Sequence, residues 1–176
     1  MSVQRMFFAG TGGQGVLLMG QIVGSAAILE DKAVTFFPSY GPEMRGGTAN
    51  CTVIVSDTEI SSPLVSEYDS IVAMTVPSML KFEPMLKTGG IMFLNETLIH
   101  QAPKRDDITV YKVPATEMAT GLGVSLAANI VMLGAFIRTT KFVSPDNVER
   151  IIREVFGAKK AELVDKEIRA YNCWKQ

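Results

Sequence analysis

Cysteine and histidine are nearly missing from this chain of 176 residues, which carries Cys51, Cys173 and His100 and no others of either type. The two cysteines stand far apart with no Cys-x-x-Cys. That spacing supplies neither a zinc site nor an iron–sulfur ligand set. One histidine argues against a histidine-based metal site and leaves a nucleophile–His–acid triad without positional support. No Gly-x-x-x-x-Gly-Lys-Ser/Thr is present for ATP, and no Gly-x-Ser-x-Gly elbow for a hydrolase. Gly-Asp-Gly, the sequence associated with magnesium-bound thiamine diphosphate, is absent as well. Charge of one sign is lacking too: 17 Lys and Arg against 18 Asp and Glu give a net charge of −1. Such a chain has no electrostatic footprint for nucleic acid or an anionic membrane.

Two stretches have no charge at all, Met6 to Leu29 and Met118 to Ile137. The first is interrupted by Gly10 to Gly15, and bare backbone is not left unsatisfied in lipid. The same interruption, with Arg5 as the lone basic residue before it, argues against a signal peptide. The second contains Gly121, Gly123, Ser125 and Asn129 and is a poor lipid-facing span. From Ala127 onward it reads as a helix apolar on every side, which must be buried on every face. In a chain this short, the expectation is that another subunit covers it. Hydrophobic residues make up 47% of the chain, enough for one core. The reading is one domain spanning 1–176, in a cytoplasmic protein with reduced thiols.

The patterns present are those of alternating strands and helices. Arg5 to Ala9 reads as a strand, Val16 to about Asp31 as a helix, and Ala33 to Phe37 as a second strand. Thr48 to Val55 alternates and is rich in β-branched residues. Ser70 to Thr75, Ile91 to Leu94 and Ile108 to Val113 are further strands. Between them Ser78 to Leu86 is a short helix with Ser78 as its cap, and Gly89-Gly90 is a turn. Ser144-Pro145 opens a helix that Gly157 ends, and Ala161, Val164, Ile168 and Tyr171 mark the last one. This alternation predicts an α/β fold, Rossmann-like, with a mostly parallel sheet flanked by helices.

Gly10-Thr11-Gly12-Gly13-Gln14-Gly15 lies between the first strand and the first helix, where G-x-G-x-x-G carries meaning. Gly10 suits a tight turn, Gly12 a close approach of backbone to a ligand, and Gly15 close packing of helix on strand. The free N–H groups of the first helical turn favour a phosphate or another anion. The alternative reading is a purely structural turn. The second informative stretch is Pro38 to Gly47, a loop with two prolines and three glycines. Loops of this length inside a compact domain are usually functional or disordered. Both stretches follow strands, and ligands of parallel sheets sit outside the carboxyl ends of strands, so both are expected to form one crevice. A dinucleotide site needs an acidic residue at the end of the second strand, where this chain has Phe37-Pro38-Ser39. That weakens an NAD reading.

The glycine turn, together with Ser39-Tyr40-Gly41-Pro42-Glu43-Met44-Arg45-Gly46-Gly47-Thr48-Ala49-Asn50-Cys51 and Asn129 to Ala135, resembles the gamma subunit of 2-oxoacid:ferredoxin oxidoreductases. The Arg45-Gly46-Gly47-Thr48 version is similar to the 2-oxoglutarate or branched-chain 2-ketoacid type. The resemblance implies an enzyme that turns a 2-oxoacid, coenzyme A and oxidised ferredoxin into acyl-CoA, carbon dioxide and reduced ferredoxin. It implies thiamine diphosphate and magnesium on alpha and beta subunits, iron–sulfur clusters on partner chains such as a small delta subunit, and coenzyme A at this chain. The candidate contacts are then Gly10, Thr11, Gly12, Gly13, Gln14, Gly15, Ser39, Tyr40, Arg45, Gly46 and Gly47. The N–H groups of Gly12 to Gly15 would hold the pyrophosphate and Arg45 the 3′-phosphate. Tyr40 would stack on adenine, and Gly46-Gly47 would let backbone come close. Arg45 has a structural alternative, a salt bridge to Glu43 or to a neighbouring subunit. No catalytic residue or metal ligand is expected on this chain. A stand-alone NAD(P)-linked oxidoreductase and a purely architectural subunit are the alternatives.

Overall fold

The computed structural model describes residues 3–41, 47–157 and 161–175. Of the loop expected between the second and third strands, Glu43, Arg45 and Gly46 lie outside the described residues.

The chain runs β1 (Val3–Thr11), α1 (Val16–Ile28), β2 (Ala33–Tyr40), β3 (Thr48–Ser56), β4 (Tyr68–Ala73) and α2 (Val76–Phe82). It continues through β5 (Leu86–Asn95), β6 (Thr109–Val113), α3 (Ala115–Gly121), α4 (Ala128–Thr140), α5 (Pro145–Gly157) and α6 (Ala161–Asn172). The strands form one sheet in the order β2-β3-β1-β4-β5-β6. β1, β4, β5 and β6 pair in parallel. β3 runs against both of its neighbours, β1 and β2. The sheet is therefore mixed, and the expected parallel character holds for every strand but β3. The α/β reading stands.

The difference originates in Pro38, Ser39 and Tyr40. Expected as loop, they continue β2 and pair with Cys51, Asn50 and Ala49 of β3. Pro38 is tolerated there because β2 is the edge strand, where one missing N–H need not break a ladder. With so short a connection, β2 and β3 make an antiparallel hairpin rather than a crossover.

Alternation along β1 divides the core into two layers. Met6 and Phe8 face α1 and α4, while Phe7 and Ala9 face α2. Phe136 of α4 packs edge-on against Phe8 and Phe93, with ring centroids 5.3 Å apart in each pair. On the other face, Phe7 lies 4.4 Å from Phe82 and 4.7 Å from Tyr68. The small residues of α1 serve packing, as expected: a Cβ on Gly20 would stand 2.6 Å from Cys51 Sγ. Close contact between helix and strand thus rests on Gly20, not on Gly15.

Three further expectations are corrected. The cap of α2 is Thr75, whose Oγ1 accepts the Ser78 N–H at 3.4 Å. β5 begins at Leu86 and passes through Gly89-Gly90, where its pairing with β4 shifts register, so these glycines are not a separate turn. α4 needs no partner subunit to cover it. Asn129 to Ile137 are buried within this one chain, between the sheet and helices α3 and α6. α6 approaches so closely that a Cβ on Gly134 would lie 2.0 Å from the Tyr171 carbonyl oxygen. The short helix α3 had no expectation attached; seven residues are too few to show a period.

Gly134→Ala tests this packing. Alanine favours a helix over glycine by about 1 kcal/mol, yet the collision with α6 backbone should leave the variant about 1–3 kcal/mol less stable. Urea unfolding measures the sign.

Candidate functional site

β1 and β4 are adjacent and parallel, but the chain leaves them towards opposite faces, to α1 and to α2. Such a switch point opens a crevice at the carboxyl ends of the two strands. Here the crevice has a volume of about 180 Å³ and is lined by Gly13, Gln14, Met74, Leu98, Thr116, Ser125, Leu126 and Ala128. None of these side chains is charged. Asn95, wholly buried at the end of β5, donates from Nδ2 to Thr116 Oγ1 at 2.9 Å and holds that wall. Leu126 is 92% exposed and Leu98 43% exposed, so the rim is apolar and open.

The glycine turn forms the opposite wall. The Gln14 N–H donates to the Thr11 carbonyl at 3.1 Å, and Gln14 Oε1 accepts the Thr11 N–H at 2.8 Å. Gly10 belongs to the strand, not to the turn. Its missing side chain leaves room for Gln14, whose Oε1 would lie 2.5 Å from a Cβ on Gly10. Gly15 caps α1 with φ 70°, a left-handed conformation, and no side chain caps the helix. Asn129 Nδ2 donates to the Gly15 carbonyl at 3.3 Å. A Cβ on Gly15 would come 2.3 Å from that nitrogen. With no cap, the first-turn N–H groups of α1 have no intrahelical partner and are available to an anion.

Among the described residues the two expected segments do meet. The Gly12 N–H donates to the Gly47 carbonyl at 2.9 Å. This contact removes Gly12 from the expected set of anion donors, and the turn bond removes Gln14. Among the described residues, Gly13, Gly15 and the start of α1 keep that role. Ser39 and Tyr40 are not in the crevice. They sit on β2, with β3 between them and β1, and Tyr40 is 69% exposed. The crevice opens instead on the β4 side of β1. Arg45 and Gly46 lie outside the described residues. Sequence reasoning missed Met74, Leu98, Thr116, Ser125 and Leu126. Met74 lies within the expected strand Ser70 to Thr75 and just past the end of β4; the others come from segments without a motif.

The geometry also bears on the dinucleotide alternative. On the side of β1 away from β4 the neighbouring strand is β3, running the opposite way and presenting Gly47-Thr48 to the turn. The end of β2, Ser39-Tyr40-Gly41, carries no acid for a ribose. Cys51 is wholly buried, donates from Sγ to the Val16 carbonyl at 3.6 Å, and has its thiol pushed up to about 12 by desolvation. It is a core group, as expected. His100 is exposed, and no group of three or more metal-ligating side chains occurs among the described residues. No helix among them is long and apolar enough to cross a membrane.

Residues 5–173 match the model of the family Pyruvate ferredoxin/flavodoxin oxidoreductase. The 2-oxoglutarate synthase subunit KorC of Methanocaldococcus jannaschii is 39% identical over 147 residues, covering 82% of this chain and 79% of that one. The ketoisovalerate oxidoreductase subunit VorA of Methanothermobacter marburgensis is 40% identical over 133 residues, which are 76% of this chain and 28% of VorA. Among solved structures, the gamma subunit of a keto/oxoacid ferredoxin oxidoreductase from Geobacter sulfurreducens superposes with a TM-score of 0.80 at 29% identity, over 96% of this chain and 94% of that one. A 2-oxoglutarate:ferredoxin oxidoreductase from Magnetococcus marinus, with 2-oxoglutarate, coenzyme A and succinyl-CoA bound, superposes with a TM-score of 0.90 over 98% of this chain and 30% of that one. At 19% identity the latter shows the shared fold alone.

Cys51 should resist a thiol reagent at pH 8 until the chain unfolds, which time-resolved labelling with and without urea reads directly. Its raised folded pKa also carries a sign. From about pH 9, where an unfolded thiol ionises, up to about 12, the unfolded state binds fewer protons, and stability falls as pH rises. Cys51→Ala should lessen that alkaline loss in urea titrations at pH 8 and pH 10.

Proposed function

The chain belongs to the pyruvate ferredoxin/flavodoxin oxidoreductase family, and from that premise we propose that it is the gamma subunit of a 2-oxoacid:ferredoxin oxidoreductase whose own part is to hold coenzyme A. The observation that carries this reading is the uncapped α1 terminus, with Gly13 and Gly15, beside an uncharged crevice at the β1/β4 switch point. A chain with backbone donors there is suited to holding an anionic carrier. The match to KorC along most of both chains supports 2-oxoglutarate as the oxoacid of the whole enzyme. The bound coenzyme A of the Magnetococcus structure supports the choice of ligand.

In this reading the pyrophosphate lies against the N–H groups of Gly13, Gly15 and the first turn of α1. The pantetheine arm runs between the apolar rims formed by Leu98 and Leu126. Arg45 takes the 3′-phosphate with its planar fork of donors. Tyr40, exposed on β2, stacks on the adenine outside the crevice. Thiamine diphosphate with magnesium and the iron–sulfur clusters reside on alpha, beta and delta partners, and ferredoxin docks elsewhere on the complex. The protein works in the cytoplasm, and residues 1–176 form one domain.

Replacing Arg45 by Ala in the assembled enzyme should raise the KM for coenzyme A about tenfold, equivalent to about 1.4 kcal/mol of lost binding. The decarboxylation that does not require coenzyme A should be retained. Wild-type enzyme should discriminate against dephospho-coenzyme A by a similar factor, and the variant should not. If Arg45→Ala and Gly13→Val both left the coenzyme A dependence intact, the chain would be architectural. Reduction of a nicotinamide by the isolated chain would favour the oxidoreductase alternative.

A further inference from the structure

Glu167 is out of place. It lies on α6, is 6% exposed, and its Oε2 has no hydrogen-bond partner. Among the described residues it is the one carboxylate with a buried, unpartnered oxygen. Desolvation, with no cation to oppose it, pushes its carboxyl above the usual carboxylate range. A buried charge in this position is unfavourable unless something arrives to pair with it.

Glu167 lines a groove of about 250 Å³ between α6 and the segment 123–127, which carries the 3-10 turn Ser125–Ala127. Val124, Ser125, Leu126, Leu163 and Lys166 line it as well, and Lys166 and Glu167 make no ion pair with each other. Leucine walls beside a carboxylate that has no partner suit a long cationic side chain. Its methylenes lie along the leucines and its head reaches the charge. A metal ion is a poorer fit, because no second or third acidic ligand is gathered there. Leu126, 92% exposed at the lip of the groove, is an apolar surface that a docking chain would cover.

We propose that this groove receives an arginine or lysine side chain of a neighbouring subunit, with Glu167 as its counter-charge and Leu126 as the apolar contact beside it. The inference rests on the reading of the chain as a subunit of a larger enzyme. It adds where a partner engages and by what chemistry. It also couples assembly to the ligand site, because Ser125 and Leu126 line both the groove and the β1/β4 crevice. A partner seated in the groove holds the 3-10 turn and so defines one rim of the crevice.

The test co-expresses the chain with the alpha and beta subunits of the same enzyme and measures association by sedimentation at increasing salt. Glu167→Gln keeps the shape and removes the charge. It should weaken association about tenfold and flatten its salt dependence, while the isolated variant melts at the same temperature as wild type or higher, since an unpaired buried charge is gone. Leu126→Ser should weaken association as well, with the salt dependence kept. Weaker association together with a lower melting temperature for Glu167→Gln would mean that Glu167 supports the fold of this chain and would overturn the proposal. Association of Glu167→Gln equal to wild type at every salt concentration would overturn it too, and leave the subunit reading standing. Failure of the wild-type chain to associate at all would remove both.

Discussion

The insertion of β3 between β1 and β2 is the constraint on which the site depends. β3 is in register with β1 from Val3 opposite Ser56 to Thr11 opposite Thr48. That register delivers Gly47 to the glycine turn, where its carbonyl accepts the Gly12 N–H. It also moves β2 one strand outward, carrying Ser39 and Tyr40 away from the carboxyl end of β1. A parallel neighbour in that place would have left the turn open on two sides. With β3 there, one side is closed by backbone, and the opening lies towards β4.

The turn is held in shape from within. Gln14 folds back over Gly10 and accepts from Thr11, while Asn129 reaches from α4 to the carbonyl of Gly15. These contacts occupy side chains that would otherwise be assigned to a ligand. They leave backbone N–H groups at the uncapped start of α1 as the donors. The crevice has no lining charge, so any anion it takes is held by dipoles and amides, which fits a carrier that must be bound and released.

The same economy makes Glu167 informative. Buried polar groups around the site have partners: Asn95 with Thr116, Asn129 with Gly15, Cys51 with Val16. Glu167, in a groove that adjoins this site, departs from that background; Arg138 Nη1 and Thr139 Oγ1 on α4 are the other buried side-chain atoms without a partner among the described residues. The position of Glu167 on α6, the helix that also covers α4, connects an interior demand for charge to an exposed leucine at the surface.

Much was legible in the residues themselves. The order of strands and helices, the glycine turn between β1 and α1, the tight seat of α1 and the inert character of Cys51 follow from local chemistry: periodicity, glycine spacing and apolar runs. The motif in Ser39 to Cys51 was enough to resemble a family. What the residues did not disclose are matters of distance between segments far apart in the chain. Whether Pro38 to Tyr40 is loop or strand depends on β3 pairing with it. Whether α4 is covered depends on α6, which approaches it through Gly134. The crevice wall opposite the glycine turn comes from Met74 after β4, from the segment after β5, from α3 and from the turn before α4, and apart from Met74 none of these bears a recognisable pattern. Local sequence determined which elements form and which chemistry the chain lacks. Tertiary packing decided which backbone donors stay free, on which side of β1 the crevice opens, and which carboxylate is left without a partner, because each of these is set by what lies across a contact.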